Sequence, residues 1–173
     1  EAHRWLPCSE AKLTCGQLGA ARASWQGLGM SFHDLPENWS ALPLDTPGLA
    51  ADVADLVVGD DDRCRGCVGL VLVGSDLRMG QPCVVSDVDD GVEPEEFAPF
   101  LVQLSHMVAD TEGSMLFVRG RPGSALLTDR DRRWHQVAID ACRAGGAPLL
   151  GAFLATPAGV RAFPEAWSDA RAS

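Results

Sequence analysis

The fold is decided between Leu116 and Leu154, in LFVRGRPGSALLTDRDRRWHQVAIDACRAGGAPLLGAFL. A hydrophobic run breaks at Arg119-Gly120-Arg121-Pro122-Gly123, and a helix pattern then opens at Thr128. Trp134, Val137, Ala138, Ala141 and Cys142 mark one buried stripe from about Asp129 to Ala144, which Gly145-Gly146 ends. Pro148 to Ala155 then forms another strand, so strand, helix and strand follow one another and the two strands should lie parallel. Thr128 and Asp131 give Thr-x-x-Asp, close to a capping box with Asp in place of Glu. The Thr oxygen accepts a helix N–H, a contribution of about 1 kcal/mol. Arg119 and Arg121 are two apart and share one side if the strand conformation continues.

Working upstream, Thr46-Pro47 reads as a helix start, with Thr as cap and Pro in the first turn. Leu49, Val53, Leu56 and Val57 follow helical spacing, and Gly59 stops them. Cys67 to Val73 (CVGLVLV) fits a buried strand, Gly74-Ser75-Asp76 turns it, and Pro82 to Val88 completes a hairpin. Pro94 starts another helix, with Phe97, Phe100, Leu101, Leu104 and Val108 on one face and Pro99 bending it or shifting its start. Ser114 to Arg119 is the next strand, and a short element around Val160 to Phe163 precedes a polar tail, 166–173. The expected fold is therefore α/β: a single three-layer domain over 46–165, with a mixed β-sheet and helices packed on it. Residues 1–45, broken by Gly16, Gly19, Gly27 and Gly29 and carrying Trp5, Trp25 and Trp39, form an irregular arm that wraps over the core or a partner.

At 173 residues and 46% hydrophobic, the chain has material for one ordinary core. No apolar run approaches the roughly 18 residues of a membrane span, and no signal peptide is legible. The chain starts at Glu1 rather than Met, as a trimmed or partial product would, and a cytoplasmic location is expected. A net charge of −10 argues against nucleic acid and against acidic membranes. Acids gather in Asp60-Asp61-Asp62 and from Asp87 to Glu96, a run without EF-hand spacing that reads as a solvated turn and helix start. Arg119, Arg121, Arg130, Arg132 and Arg133 crowd one short window, either a solvated face or an anion site. Of six cysteines, Cys83 and Cys142 read as buried, while Cys64-Arg65-Gly66-Cys67 is a lone CxxC. Its close thiols could share a zinc or form a redox pair; a four-thiol zinc site would need Cys8 and Cys15, which are spaced too widely, and a simple turn is the preferred reading.

Strand, Pro loop and capped helix together resemble the JAB/MPN (JAMM) metalloprotease family, particularly its RadC-like bacterial branch. That family carries His-x-His-Pro at the end of a strand, then a Ser, then an Asp three residues later. Here the run is Arg119-Gly120-Arg121-Pro122-Gly123-Ser124, with Thr128 for the Ser and Asp131 for the Asp. The similarity extends over Cys67 to Phe163; the loop is one residue short, and no residue is matched to the family's upstream Glu. The resemblance implies a cytidine-deaminase-like three-layer fold and a zinc site made by two imidazoles and a carboxylate. Arginine offers donors only, so two of the three ligands are missing and positive charge stands where the cation would sit. Proteolysis by the family's mechanism is then absent, and no cofactor is expected. A rescued metal site would draw on Asp131 and His135, one turn apart, or on Cys64 and Cys67; no third ligand accompanies Asp131 and His135, and His106 reads as structural or surface.

Three functional readings follow. The first is a non-catalytic binding or scaffold module whose partner is another protein or a second copy, with Arg119 and Arg121 paired to Asp129 and Asp131. It predicts an exposed apolar patch near the tryptophan arm. The second is an anion or nucleotide site formed by Arg119, Gly120, Arg121, Gly123, Ser124 and Thr128 at the helix N-terminus. The third is a metal-dependent hydrolase with unusual ligands. Internal pairing is favoured, because the loop supplies its own counter-ions and these acids already occupy the positive helix end. Ser124 with His135 makes no convincing nucleophile and base.

Overall fold

The structure, a computed structural model, describes residues 37–164. The expected contributions of residues 1–36, including Trp5, Trp25, Cys8 and Cys15, and of the tail lie outside the described residues.

After a single 3-10 turn at Trp39–Ala41, helix α1 spans Leu49–Val57 and a short helix α2 spans Asp60–Arg65. Strands β1 (Cys67–Val73) and β2 (Met79–Ser86) follow. A 3-10 turn at Pro94–Phe97 leads into α3 (Ala98–Ala109), then come β3 (Ser114–Gly120), α4 (Asp129–Gly145), β4 (Leu149–Thr156) and β5 (Gly159–Ala162). The strands make one five-stranded sheet in the order β2-β1-β3-β4-β5. Strand β1 is antiparallel to both β2 and β3, β3 and β4 are parallel through α4, and β5 returns antiparallel to β4. Thus β2 and β3, joined through α3, run in the same direction with β1 between them.

Alternation along the strands divides the core in two. Val68 and Leu70 of β1, Met115 and Phe117 of β3, and Leu154 of β4 pack with Leu101 and Val108 of α3 and Trp134, Ala138 and Cys142 of α4. Their neighbours Cys67, Val71, Leu116, Val118, Phe153 and Ala155 pack with Leu49, Val53, Ala54 and Val57 of α1. Adjacent strand residues point to opposite faces, so the sheet lies between two helical layers. Helices α3 and α4 are fastened by the buried Ser105, whose hydroxyl donates to the Cys142 carbonyl at 3.2 Å and accepts from the Ala147 amide at 3.1 Å.

Several boundaries differ from expectation for local reasons. Helix α1 starts at Leu49, not at Thr46, because the chain first turns through Thr46 to Gly48, whose φ is +82°. Helix α2 was not anticipated: the Asp60-Asp61-Asp62 run forms its first turn, where negative charge suits the helix's positive end. Strand β2 begins at Met79, three residues before the apolar signal, since Gln81 and Pro82 pair with Leu72 and Val71. Pro82 is tolerated because β2 is an edge strand. Pro99 sits in the first turn of α3 and sets its start after the 3-10 turn. Of the arm's described part, Leu44 is buried and its amide donates to the Leu77 carbonyl, while Trp39 and Leu42 pack on the α1 cluster. No helix among the described residues is long and apolar enough to cross a membrane.

Candidate functional site

The end of β3, the loop behind it and the first turn of α4 meet where the sequence places its arginines. Arg121 lies just past β3, its amide donating to the Ala155 carbonyl at 3.0 Å. Its guanidinium grips Asp131 with two parallel bonds, Nε to Oδ1 at 2.8 Å and Nη2 to Oδ2 at 2.7 Å. The remaining donors reach the carbonyls of Pro122, Ser124 and Leu126 at 2.9–3.1 Å. A guanidinium has five N–H donors, and all five of Arg121 are engaged. The loop is wound around this side chain.

Asp131 is also the N3 residue of a reciprocal capping box: its amide donates to the Thr128 hydroxyl, and its Oδ2 accepts from the Thr128 amide at 2.8 Å. Burial raises the pKa of this carboxyl, but the hydrogen bonds from Arg121 and Thr128 outweigh it and hold the group below the ordinary aspartate range. The same carboxylate raises the pKa of Arg121.

Arg119 behaves differently. It is 1% exposed, and Nη1 donates to the carbonyls of Cys67 and Val88, both at 2.9 Å. Its Cζ lies 4.9 Å from the ring centre of Trp134, within cation–π range. Burial lowers its pKa, partly offset by Cys67, Asp90 and Asp131. The Asp90 carboxylate stands 3.9 Å from Nη2, too far for a hydrogen bond. Gly66 makes this geometry possible: its φ is +88°, and a Cβ there would sit 2.2 Å from the Val88 carbonyl oxygen. The close approach lets the Val88 amide donate to the Gly66 carbonyl and brings the loop after β2 over Arg119.

Arg130, Trp134 and Asp90 join Arg119, Arg121, Pro122, Thr128 and Asp131 around one cleft of about 140 Å³. Arg130 Nε, Arg119 Nε and Trp134 Nε1 are buried and have no acceptor among the described residues. A buried donor left without a partner costs roughly 1–3 kcal/mol, so three such N–H groups around one cleft mark it as a place for acceptors.

The sequence-predicted candidates are thus only partly brought together. Asp129 is a correction: it faces solvent and pairs with Arg132 one helical turn away, because at N1 of α4 its side chain points off the loop. Gly120 is the last residue of β3, against the Cys67 sulfur, while Gly123 at φ +92° and the exposed Ser124 shape the turn around Arg121. His135 does not join Asp131; it stacks on Phe163 at 4.7 Å, and burial lowers its pKa. His106 is exposed on α3. The CxxC is split, with Cys64 exposed on α2 and Cys67 buried in β1, where burial and then the charge of Asp62 push the thiol up to about 12. Among the described residues, no group of three His, Cys, Asp or Glu side chains is placed to hold a metal ion. Met107 and Leu126 are the large apolar side chains exposed among them, on separate elements rather than in one patch.

Sequence reasoning missed three contributors. The acidic run after β2 faces the basic window of α4, with Asp90 and Glu93 on Arg130 and Glu93 and Glu95 on Arg133. The two opposite charge runs were the available signal for that pairing. Trp134 read as core, which it is, without its role as the platform under Arg119. Arg63, inside a run of charged residues, is buried and ties the α1–α2 corner to the end of β4 through the carbonyls of Val58 and Thr156.

No family model, no curated protein and no solved structure matches this chain. The site is rich in donors: its buried carboxylate, Asp131, is fully engaged, and among the described residues no serine, threonine or cysteine at the cleft hydrogen-bonds to a histidine. Such an arrangement offers N–H donors to an acceptor.

Proposed function

We propose that this chain is a non-catalytic binding module of JAB/MPN-like, cytidine-deaminase-like build, in which an Arg–Asp lock stands where that family's zinc ligands converge. The observation that carries the reading is the complete engagement of Arg121: all five donors hold Asp131 and the loop carbonyls. The carboxylate that would remain as a metal ligand already accepts three hydrogen bonds, two from Arg121 and one from the Thr128 amide. A cation there would face Arg119 and Arg121 at close range and would have to break the capping box to reach Asp131. The zinc group does not fit these residues.

The reading is tested by elemental analysis and by zinc titration of untagged protein. The expected result is substoichiometric zinc and no zinc-dependent rise in melting temperature. One zinc per chain, lost in an Asp131→Ala variant, would overturn it.

A further inference from the structure

We propose that the cleft between Arg119, Arg130 and Trp134 binds a phosphoryl group, and that Asp90 is the carboxylate this group displaces. The site deepens the binding-module reading and rests on it only in taking the cleft to hold its ligand rather than cleave it.

Three observations converge. Arg119 Nε, Arg130 Nε and Trp134 Nε1 are buried N–H donors without an acceptor among the described residues, and all three residues line the same cleft. Arg119 and Trp134 are themselves almost completely buried, and the cleft they line is where an acceptor can approach their donors. The start of α4 is not the basis of the argument, because Asp129 and Asp131 already stand at that helix end.

The position of Asp90 is the second observation. One oxygen, Oδ1, lies 3.9 Å from Arg119 Nη2 and 3.9 Å from Arg130 Nε. It marks a point between two guanidiniums that an oxygen can occupy, yet Asp90 does not come close enough to hydrogen-bond to either. Its side chain is 79% exposed, so it can swing into solvent at small cost. With Asp90 withdrawn, Arg119 faces the cleft with an unpaired positive charge and Arg130 with one partly balanced by Glu93, which Arg133 shares. Arg121 adds none, since Asp131 neutralises it. Glu93 reaches Arg130 at Nη1, on the guanidinium edge away from the free Nε.

Size and donor geometry select the ligand class. A cleft of about 140 Å³ is under half the lower limit of about 300 Å³ usual for drug-sized ligands. It takes a group rather than a whole nucleotide. Three donors on three residues are as many as the terminal oxygens of a phosphoryl group, whereas a carboxylate has two. A phosphate monoester carries about −1.5 to −2 charge, complementary to the two arginines. The source is either inorganic phosphate or the phosphate end of a larger molecule.

The test is calorimetric titration of the full chain with inorganic phosphate, with acetate as comparator and with a simple phosphate monoester, at constant ionic strength. Phosphate is expected to bind saturably and more tightly than acetate; tighter binding of the monoester assigns the site to esters, and equal or weaker binding to the free ion. Trp134→Phe removes one donor and keeps the ring, and Arg130→Gln removes charge from the partly exposed edge of α4. Each is expected to weaken phosphate binding by roughly tenfold, and Asp90→Asn to tighten it several-fold. If the Trp variant fails to fold, Arg130→Gln and Asp90→Asn still decide the matter. Absence of saturable binding, or binding that none of the three variants changes, overturns the proposal. Stoichiometric zinc in the same preparation would instead overturn the non-catalytic reading and leave the phosphate result to stand by itself.

Discussion

Asp131 Oδ2 accepts two hydrogen bonds at once, from Arg121 Nη2 at 2.7 Å and from the Thr128 amide at 2.8 Å. One carboxylate therefore closes the loop after β3 and caps the helix that follows it. Loop and helix start are a single cooperative unit, and the loss of either half exposes the other.

Removing this carboxylate leaves a largely buried guanidinium without its counter-charge and the Thr128 amide without its acceptor. Asp131→Ala is expected to cost about 3–5 kcal/mol, measured by urea unfolding. Arg121→Lys is expected to lose most of the same amount, because an ammonium has three donors and cannot make the parallel pair while also holding three carbonyls. An Arg121→Lys chain within 0.5 kcal/mol (about the scatter of surface substitutions) of the parent would show that the lock contributes little.

Acid should release the same lock. The pKa of Asp131 is lower in the folded chain than in the unfolded one, so the unfolded chain takes up the proton first. The stabilisation is fully present above the ordinary aspartate value near pH 4 and is lost as pH falls through the folded pKa. Unfolding midpoints of the parent and of Asp131→Asn, compared from neutral pH to about pH 3, should converge with acidity. A gap that stays constant over that range would assign the stability difference to something other than ionisation.

The middle of the sheet was legible because β1, β3 and β4 are largely apolar runs bounded by glycine and proline, and α4 because its stripe and capping box agree. The pairing of Asp131 with Arg121 follows from the same capping logic: once Thr128 caps α4, Asp131 must turn back toward the loop. Asp129 stands two residues, about 200° around the helix, from Asp131, so once the capping box turns Asp131 toward the loop Asp129 must face away; the expectation that both acids pair with the arginines overlooked that spacing. Asp90 and Arg63 were hidden for another reason. Each sits in a run of like or mixed charges that normally marks solvent, and only the crossing of distant segments gives it a partner. Arg119 Nε and Trp134 Nε1 lack a partner among the described residues, and an absent partner leaves no trace in sequence.

Arg63 offers a stability test away from the cleft. Its guanidinium bonds the carbonyls of Asp55, Val58 and Thr156 and the Asp55 carboxylate, at 2.7–3.2 Å. Arg63→Ala strands the Val58 and Thr156 carbonyls and empties the corner between α2 and β4. A loss of about 2–4 kcal/mol is expected by chemical denaturation, with phosphate binding unchanged in the folded fraction. A loss under 1 kcal/mol (about that of one ordinary hydrogen bond) would mean that water replaces the guanidinium without difficulty.

Two glycines separate backbone strain from close packing and connect stability to the cleft. Gly48 and Gly66 both have positive φ, +82° and +88°. A Cβ at Gly48 meets nothing within 4 Å, whereas one at Gly66 falls 2.2 Å from the Val88 carbonyl oxygen. Gly48→Ala should therefore cost only the left-handed backbone penalty, about 1–2 kcal/mol. Gly66→Ala should cost more, because the Val88 segment must also move away. That movement withdraws the Val88 carbonyl from Arg119 Nη1 and shifts Asp90, two residues on, from its place between the guanidiniums. Thermal unfolding and phosphate titration of both variants check the argument together: Gly48→Ala should leave phosphate affinity unchanged, and Gly66→Ala should alter it. Equal stability losses with equal phosphate affinities would show that the loop after β2 adjusts freely and does not set the geometry of Arg119.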